Sequence, residues 1–138
     1  MSLVLAIETS SSEYFIALGD NGEKIYHSAE TEGLNKDKDL GLLLRTGLEA
    51  TGIDIKEIEF ISINIGPGGL GAVRSGVSFA NGLAFGLGKP LVPLNAFELC
   101  VFAAAKAHDL PVSCTSNAAD GNAYGALFEN GGLSKMKY

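Results

Sequence analysis

The 138-residue sequence predicts an α/β fold built on a mixed, five-stranded sheet. Three observations carry that expectation. Strand-like and helix-like stretches follow one another as three strands, helix, strand, helix, strand, helix. The opening runs "LVLAIE", "YFIALG" and "EKIYHSAE" are separated by turn signals and read as a meander. Residues 64–88, "NIGPGGLGAVRSGVSFANGLAFGLG", then pass from a strand through a glycine loop into a helix, and hold eight of the chain's 18 glycines.

Taken in order, "LVLAIE" at 3–8 is a continuous apolar run ending on a carboxylate, which suits a central strand. "TSSSE" is a turn, and "DNG" at 20–22 is a hairpin signal because Asn and Gly tolerate positive φ. In "NKDKDLGLLLRTGLEATG", Leu40, Leu43, Leu44 and Leu48 have helical spacing, with Asn35 expected as N-cap and Gly52 as C-cap. "IEFISINI" is a buried fourth strand, a second helix is expected at about 70–87, "PLVPLN" is a short fifth strand, and "AFELCVFAAAKAHD" is a third helix.

The end of the chain repeats the beginning. "PVSCTSNAADGNAYGALFENGG" reads as strand, polar turn, strand and "NG" turn, and "YGALFENG" at 124–131 lies on "FIALGDNG" at 15–22 with an offset of 109. Two units are therefore expected, a first lobe over 1–110 and the start of a second, shortened lobe over 111–138, as a strand hairpin.

Composition narrows the function. The formal charge is −6 and the ten basic residues are scattered, which argues against autonomous binding to nucleic acid or an anionic membrane. No stretch reaches the ~18 apolar residues of a spanning helix. The first residues lack a basic start and apolar run, so no signal peptide is expected. Cys100 and Cys114 have no CxxC spacing and read as buried thiols. His27 and His108 lie in unrelated segments, so no metal site is expected.

"GPGGLG" matches a dinucleotide-binding pattern literally, but Pro67 removes a donor, three strands and a helix precede it, and no acid follows at the required distance. Ala72 and Val73 stand where a P-loop needs Lys and Ser/Thr. Helix two offers another use for small residues. Ala72, Gly76, Ala80 and Ala84 form one i,i+4 row, and Ser75, Ser78, Gly82 and Gly86 a second. Such rows permit close packing, either on this chain's own sheet or on another subunit. Glu8 is the strongest candidate for chemistry, either at a metal-bound phosphate or as a cap for the "TSSS" amides. Arg74 would hold a phosphate or make a salt bridge, while Asn117 and Asp120 serve a turn.

The stretches "LVLAIETSSSEYFIAL", "GPGGLGAVRSGVSFANGLAFGLGKPLVPLNAFEL" and "SNAADGNAYGALF" together resemble the TsaB (YeaZ) family, the Gcp-like group once labelled glycoprotease. The resemblance implies an actin-like, Hsp70-like ATPase fold (ribonuclease H-like), here one lobe with its second lobe truncated. It implies a cytoplasmic, non-catalytic scaffold in the synthesis of threonylcarbamoyladenosine at position 37 of tRNA. Expected partners are a catalytic TsaD-type paralogue, which carries the metal-binding histidines, and a TsaE-type ATPase. The chain alone is expected to form a homodimer through helices 35–51 and 70–87, with Leu40, Leu44, Ala72, Gly76, Ala80, Gly82 and Gly86 at the interface.

Departures from the family pattern are plain. Gly69, Leu70, Gly71 and Ala72 stand where Ser-Phe-Thr-Gly is usual, and Asn117, Ala118 and Ala119 where Asp-Ala-Arg is usual. Helix one lacks a common histidine, and family chains are typically longer. The catalytic paralogue is a weaker match for want of histidines. Two alternatives stand beside the scaffold. One is a nucleotide-binding ATPase-like protein taking ATP or ADP with Mg through Glu8, Thr9, Gly66, Gly68 and Arg74. The other is a glycoprotease-like metallopeptidase.

Overall fold

The computed structural model describes residues 2–11, 13–34, 36–105, 111–118, 121–129 and 132–137. β1 (Leu3–Glu8) is central in a sheet of order β3-β2-β1-β4-β5. It pairs antiparallel with β2 (Phe15–Asp20) and parallel with β4 (Phe60–Asn64), so the five-stranded sheet is mixed as expected. β3 (Glu23–His27) closes one edge antiparallel and β5 (Leu91–Leu94) the other edge parallel. The β2–β3 hairpin turns on Asn21 at φ 50° and Gly22 at φ 84°, the two positive φ values that its sequence signalled.

One face of this sheet carries the core. Leu3, Leu5 and Ile7 of β1, Ile16 and Leu18 of β2, and Ile61 and Ile63 of β4 are buried there. Helix α1 (Leu40–Thr51) lays Leu40, Leu43, Leu44 and Gly47 against β2 and β3. Gly47 lies under the Tyr26 ring, where an added Cβ would be 2.7 Å from the ring edge. Burial of each such leucine contributes about 1.5–3 kcal/mol. The start of α1 corrects the sequence expectation. Its N-cap is Asp39, whose carboxylate accepts from the Leu42 amide at 3.0 Å, while Asn35 lies outside the described residues. Gly52 is the C-cap as expected, at φ 70°.

Helix α2 (Leu70–Leu87) covers β4, β1 and β5 with Gly76, Ala80 and Ala84 inward, and ends on Gly88 at φ 63°. Helix α3 (Ala96–Ala105) leaves this sheet to pack on a second, three-stranded one. There β6 (Val112–Asn117), β7 (Ala123–Glu129) and β8 (Gly132–Lys137) form an antiparallel meander. Phe97 of α3, Cys114, Ala126 and Phe128 make its small core.

The second meander repeats the first in detail. Ala17 pairs with His27, and Ala126 pairs with Met136, each 109 residues on. The ladder bulges between Leu18 and Gly19, and again between Leu127 and Phe128. The first strand has slipped by one residue, because the β6–β7 connection is a residue shorter than the β1–β2 connection. Ser116, paired with Tyr124, thereby takes the place of Glu8, paired with Phe15.

Candidate functional site

Parallel pairing of β1 with β4 brings their C-terminal ends, Glu8 and Asn64, to the same edge of the sheet. Ligand sites of open α/β sheets form at this edge. A cleft of about 420 Å³ opens there, with Glu8, Ser10, Asn64 and Pro67 on one side and Cys100 of α3 with Cys114 and Ser116 of β6 on the other.

Hydrogen bonds within the near wall are extensive. One Glu8 oxygen accepts from the Ser10 amide at 2.5 Å and from the Ser10 hydroxyl at 2.6 Å. The other accepts from the Asn64 side-chain amide. Glu8 therefore caps its own turn, one of the two roles expected of it. The Asn64 carbonyl oxygen accepts from the Gly66 amide at 2.9 Å, which ties the carboxylate to the glycine loop. Asn64 is a residue that sequence reasoning missed; its signal was an amide side chain ending a mostly apolar strand just before that loop.

The glycine loop is clamped onto the turn after β1. The Gly69 amide donates to the Ser10 carbonyl at 3.3 Å, and a Cβ on Gly68 would sit 2.2 Å from that oxygen. Thr9 is fully buried, and its hydroxyl donates to the Ala72 carbonyl at 2.7 Å. Gly76 faces the same threonine, with an added Cβ 2.1 Å from its hydroxyl oxygen. The nearby Ser10 backbone is the reason for Gly68, and the buried Thr9 side chain the reason for Gly76.

The structure separates the five residues expected to bind a phosphate. The Thr9 hydroxyl and the Gly66 and Gly69 amides already have partners inside the fold, Pro67 has no N–H, and Gly68 is pressed against Ser10. Arg74 is exposed on α2 and does not line the cleft. Glu8 alone among the five faces the cleft. Among the described residues no group of three or more His, Cys, Asp or Glu side chains is placed to hold a metal ion, and His108 and Asp120 lie outside them.

The expected pairing surface also divides. Leu40, Leu44, Gly76 and Ala80 are buried in this chain's own core, and Ala72 is half-buried with its carbonyl engaged by Thr9. They are committed to the sheet because the helical period turns that row inward. Gly82 and Gly86 face open space, beside Phe85, which is 92% exposed.

Of the two cysteines, Cys114 is buried as expected, but Cys100 is exposed, and both are free thiols. Burial, and then the hydrogen bond and charge of Cys100, push the Cys114 thiol up to about 12. No helix among the described residues is long and apolar enough to cross a membrane.

A family model described as TsaD, tRNA N6-adenosine threonylcarbamoyltransferase, matches residues 35–135. A tRNA N6-adenosine threonylcarbamoyltransferase from Thermosipho africanus is 32% identical over 117 residues, covering 73% of this chain and 35% of the relative. Its namesake from Chloroherpeton thalassium is 33% identical over 113 residues, covering 72% and 32%. The chain thus spans about a third of the length of these curated relatives. Both bear the catalytic paralogue's name, which the sequence reading had ranked behind TsaB.

In structure, YeaZ from Pseudomonas aeruginosa superimposes with a TM-score of 0.77 at 21% identity, over all of this chain and 65% of that one. The ethanolamine utilization protein EutJ from Carboxydothermus hydrogenoformans follows with a TM-score of 0.53 at 16% identity, over 99% and 51%. The fold of this chain is thus that of YeaZ over the length they share.

Proposed function

The chain belongs to the TsaD family of tRNA N6-adenosine threonylcarbamoyltransferases, and from that premise we propose that it is a non-catalytic partner subunit in the synthesis of threonylcarbamoyladenosine at position 37 of tRNA. In this reading it is a cytoplasmic protein that binds a catalytic TsaD-type paralogue and works alongside a TsaE-type ATPase. In isolation it pairs with itself. Residues 1–110 act as the first lobe and 111–138 as the start of a second.

The observation that carries the reading is the outward face of α2. Phe85 stands 92% exposed between Gly82 and Gly86, and neither glycine has anything within 4 Å of where a Cβ would be. A phenylalanine flanked by glycines lets a partner helix approach closely and cover the ring, a burial worth about 1.5–3 kcal/mol. A nucleotide-binding protein is a second reading, favoured by the cleft beside Glu8. Calorimetric titration with ATP separates the two, since the subunit reading expects weak or absent binding.

The experiment that tests the function is reconstitution. Unmodified tRNA, a TsaD-type catalytic protein, a TsaE-type ATPase and the threonylcarbamoyl donor are incubated with and without this chain, and modified adenosine is counted by mass spectrometry. Modification that depends on the chain supports the proposal; an equal yield without it would sink it.

A further inference from the structure

Cys100 and Cys114 are the chain's two cysteines, and the fold brings them together from separate elements. α3 packs on β6, and both thiols line the far wall of the cleft, opposite Glu8. Cys114 is 3% exposed, and its thiol donates to the Phe97 carbonyl in the first turn of α3, at 4.0 Å. Cys100 lies three residues further along the helix, on the same face as Phe97. The two thiols are there within hydrogen-bonding reach of each other. Phe97 and Val101 anchor α3 in the small core with Ala126 and Phe128, so the helix cannot carry Cys100 away without opening that core.

The pair is asymmetric: Cys100 is open to solvent and Cys114 is buried behind it. An exposed thiol is where an oxidant arrives, and a second thiol beside it is where the oxidised sulfur is resolved. Burial keeps the proton on Cys114, where it is available to a departing oxygen.

We propose that Cys100 and Cys114 form a reversible oxidation site, converted by a hydroperoxide into a disulfide that staples α3 to β6 at the cleft wall. With hydrogen peroxide, the Cys100 sulfur attacks one oxygen, the O–O bond breaks, Cys100 becomes a sulfenic acid and the other oxygen leaves as water. The Cys114 sulfur then attacks the Cys100 sulfur. An S–S bond forms, the S–O bond breaks, and the hydroxyl leaves as water with the Cys114 proton. The two thiols give up two electrons and two protons, and the peroxide is reduced to two waters. A thiol reductant reverses the change by exchange. The bond ties the helix between the two sheets to the second sheet and leaves the Glu8 wall untouched.

The test uses the reduced wild-type chain, treated with a slight molar excess of hydrogen peroxide and quenched with catalase. Free thiols are blocked with N-ethylmaleimide in denaturant, and the chain is digested with trypsin without reductant. Cleavage after Lys106 puts the two cysteines in separate peptides. The expected result is loss of both maleimide adducts together, with the two peptides joined by a disulfide that dithiothreitol splits. On a non-reducing denaturing gel the oxidised protein should run as a single chain. In Cys114→Ser, Cys100 should stop at a sulfenic acid that dimedone captures, and the wild type should yield far less of that adduct. The wild-type digest decides the matter whether or not that variant folds. Both thiols recovered as maleimide adducts, Cys100 oxidised while Cys114 stays free, or peptides joined only between chains would overturn the proposal.

Discussion

Replacing Gly76 with alanine adds one methyl group at the tight contact between α2 and Thr9, the residue after β1. Its carbon would fall 2.1 Å from the Thr9 hydroxyl oxygen and 2.9 Å from the Thr9 methyl. Thr9 is fully buried and its hydroxyl is bound to the Ala72 carbonyl, one turn earlier on the same helix. Either α2 lifts from the sheet or the threonine rotates and loses its acceptor. Overpacking of this kind costs about 1–3 kcal/mol, and the displaced hydrogen bond about 1 kcal/mol. Alanine returns about 1 kcal/mol of helix propensity. The net loss expected is about 1–3 kcal/mol, which lowers the urea midpoint by about 1 M for a slope near 2 kcal/mol/M.

Gly82→Ala is the control on the same helix. It meets nothing within 4 Å, so propensity alone should stabilise it by up to about 1 kcal/mol. Thr9→Ala combined with Gly76→Ala removes the clashing atoms and should recover most of the loss, a coupling that a double-mutant cycle measures. Equal midpoints for the two glycine variants, or no recovery in the double variant, would refute the packing argument.

Three further outcomes are expected. Asp39→Ala should cost about 1 kcal/mol of stability by removing the α1 cap, and Asn35→Ala should have no such effect, both read by urea unfolding. Asn64→Leu should destabilise by roughly 1–3 kcal/mol, because it strips a donor from Glu8 and an acceptor from the Gly66 amide in a buried position. A thiol reagent near neutral pH should label Cys100 at once and Cys114 only as the protein unfolds. The Cys114 thiol, held up to about 12 against an ordinary 9.0, keeps its proton in the folded chain where the unfolded chain loses it. Its contribution is complete below pH 9.0 and falls away as pH rises from there toward 12, and Cys114→Ala should flatten that part of the stability profile.

Much of the fold was legible because its signals are local. The Asn21-Gly22 turn, the apolar runs of β1 and β4, and Gly52 after α1 each report a backbone conformation that few residues adopt. The 109-residue offset was visible in eight residues and extends, in the structure, to a bulge at the same place in both meanders. The start of α1 was misplaced because "NKDKDL" offers several capping side chains. Asp39, directly before the first inward leucine, is the one whose carboxylate reaches an amide of the first turn.

The candidate site was legible only at Glu8. Asn64 becomes its partner through the parallel register of β1 and β4, which no local pattern encodes. Likewise, spacing alone placed Ala72, Gly76 and Ala80 in one row without saying which way that row faces. The depth of Thr9 turns it inward and leaves Gly82, Phe85 and Gly86 outside.

The central proposal is that a catalytic paralogue binds the outward face of α2. Its most direct test is calorimetric titration of a TsaD-type catalytic protein with the wild-type chain and with Phe85→Lys. A saturable heat with the wild type that vanishes in the variant is the result expected. Binding of equal strength by both chains, or by neither, would contradict it.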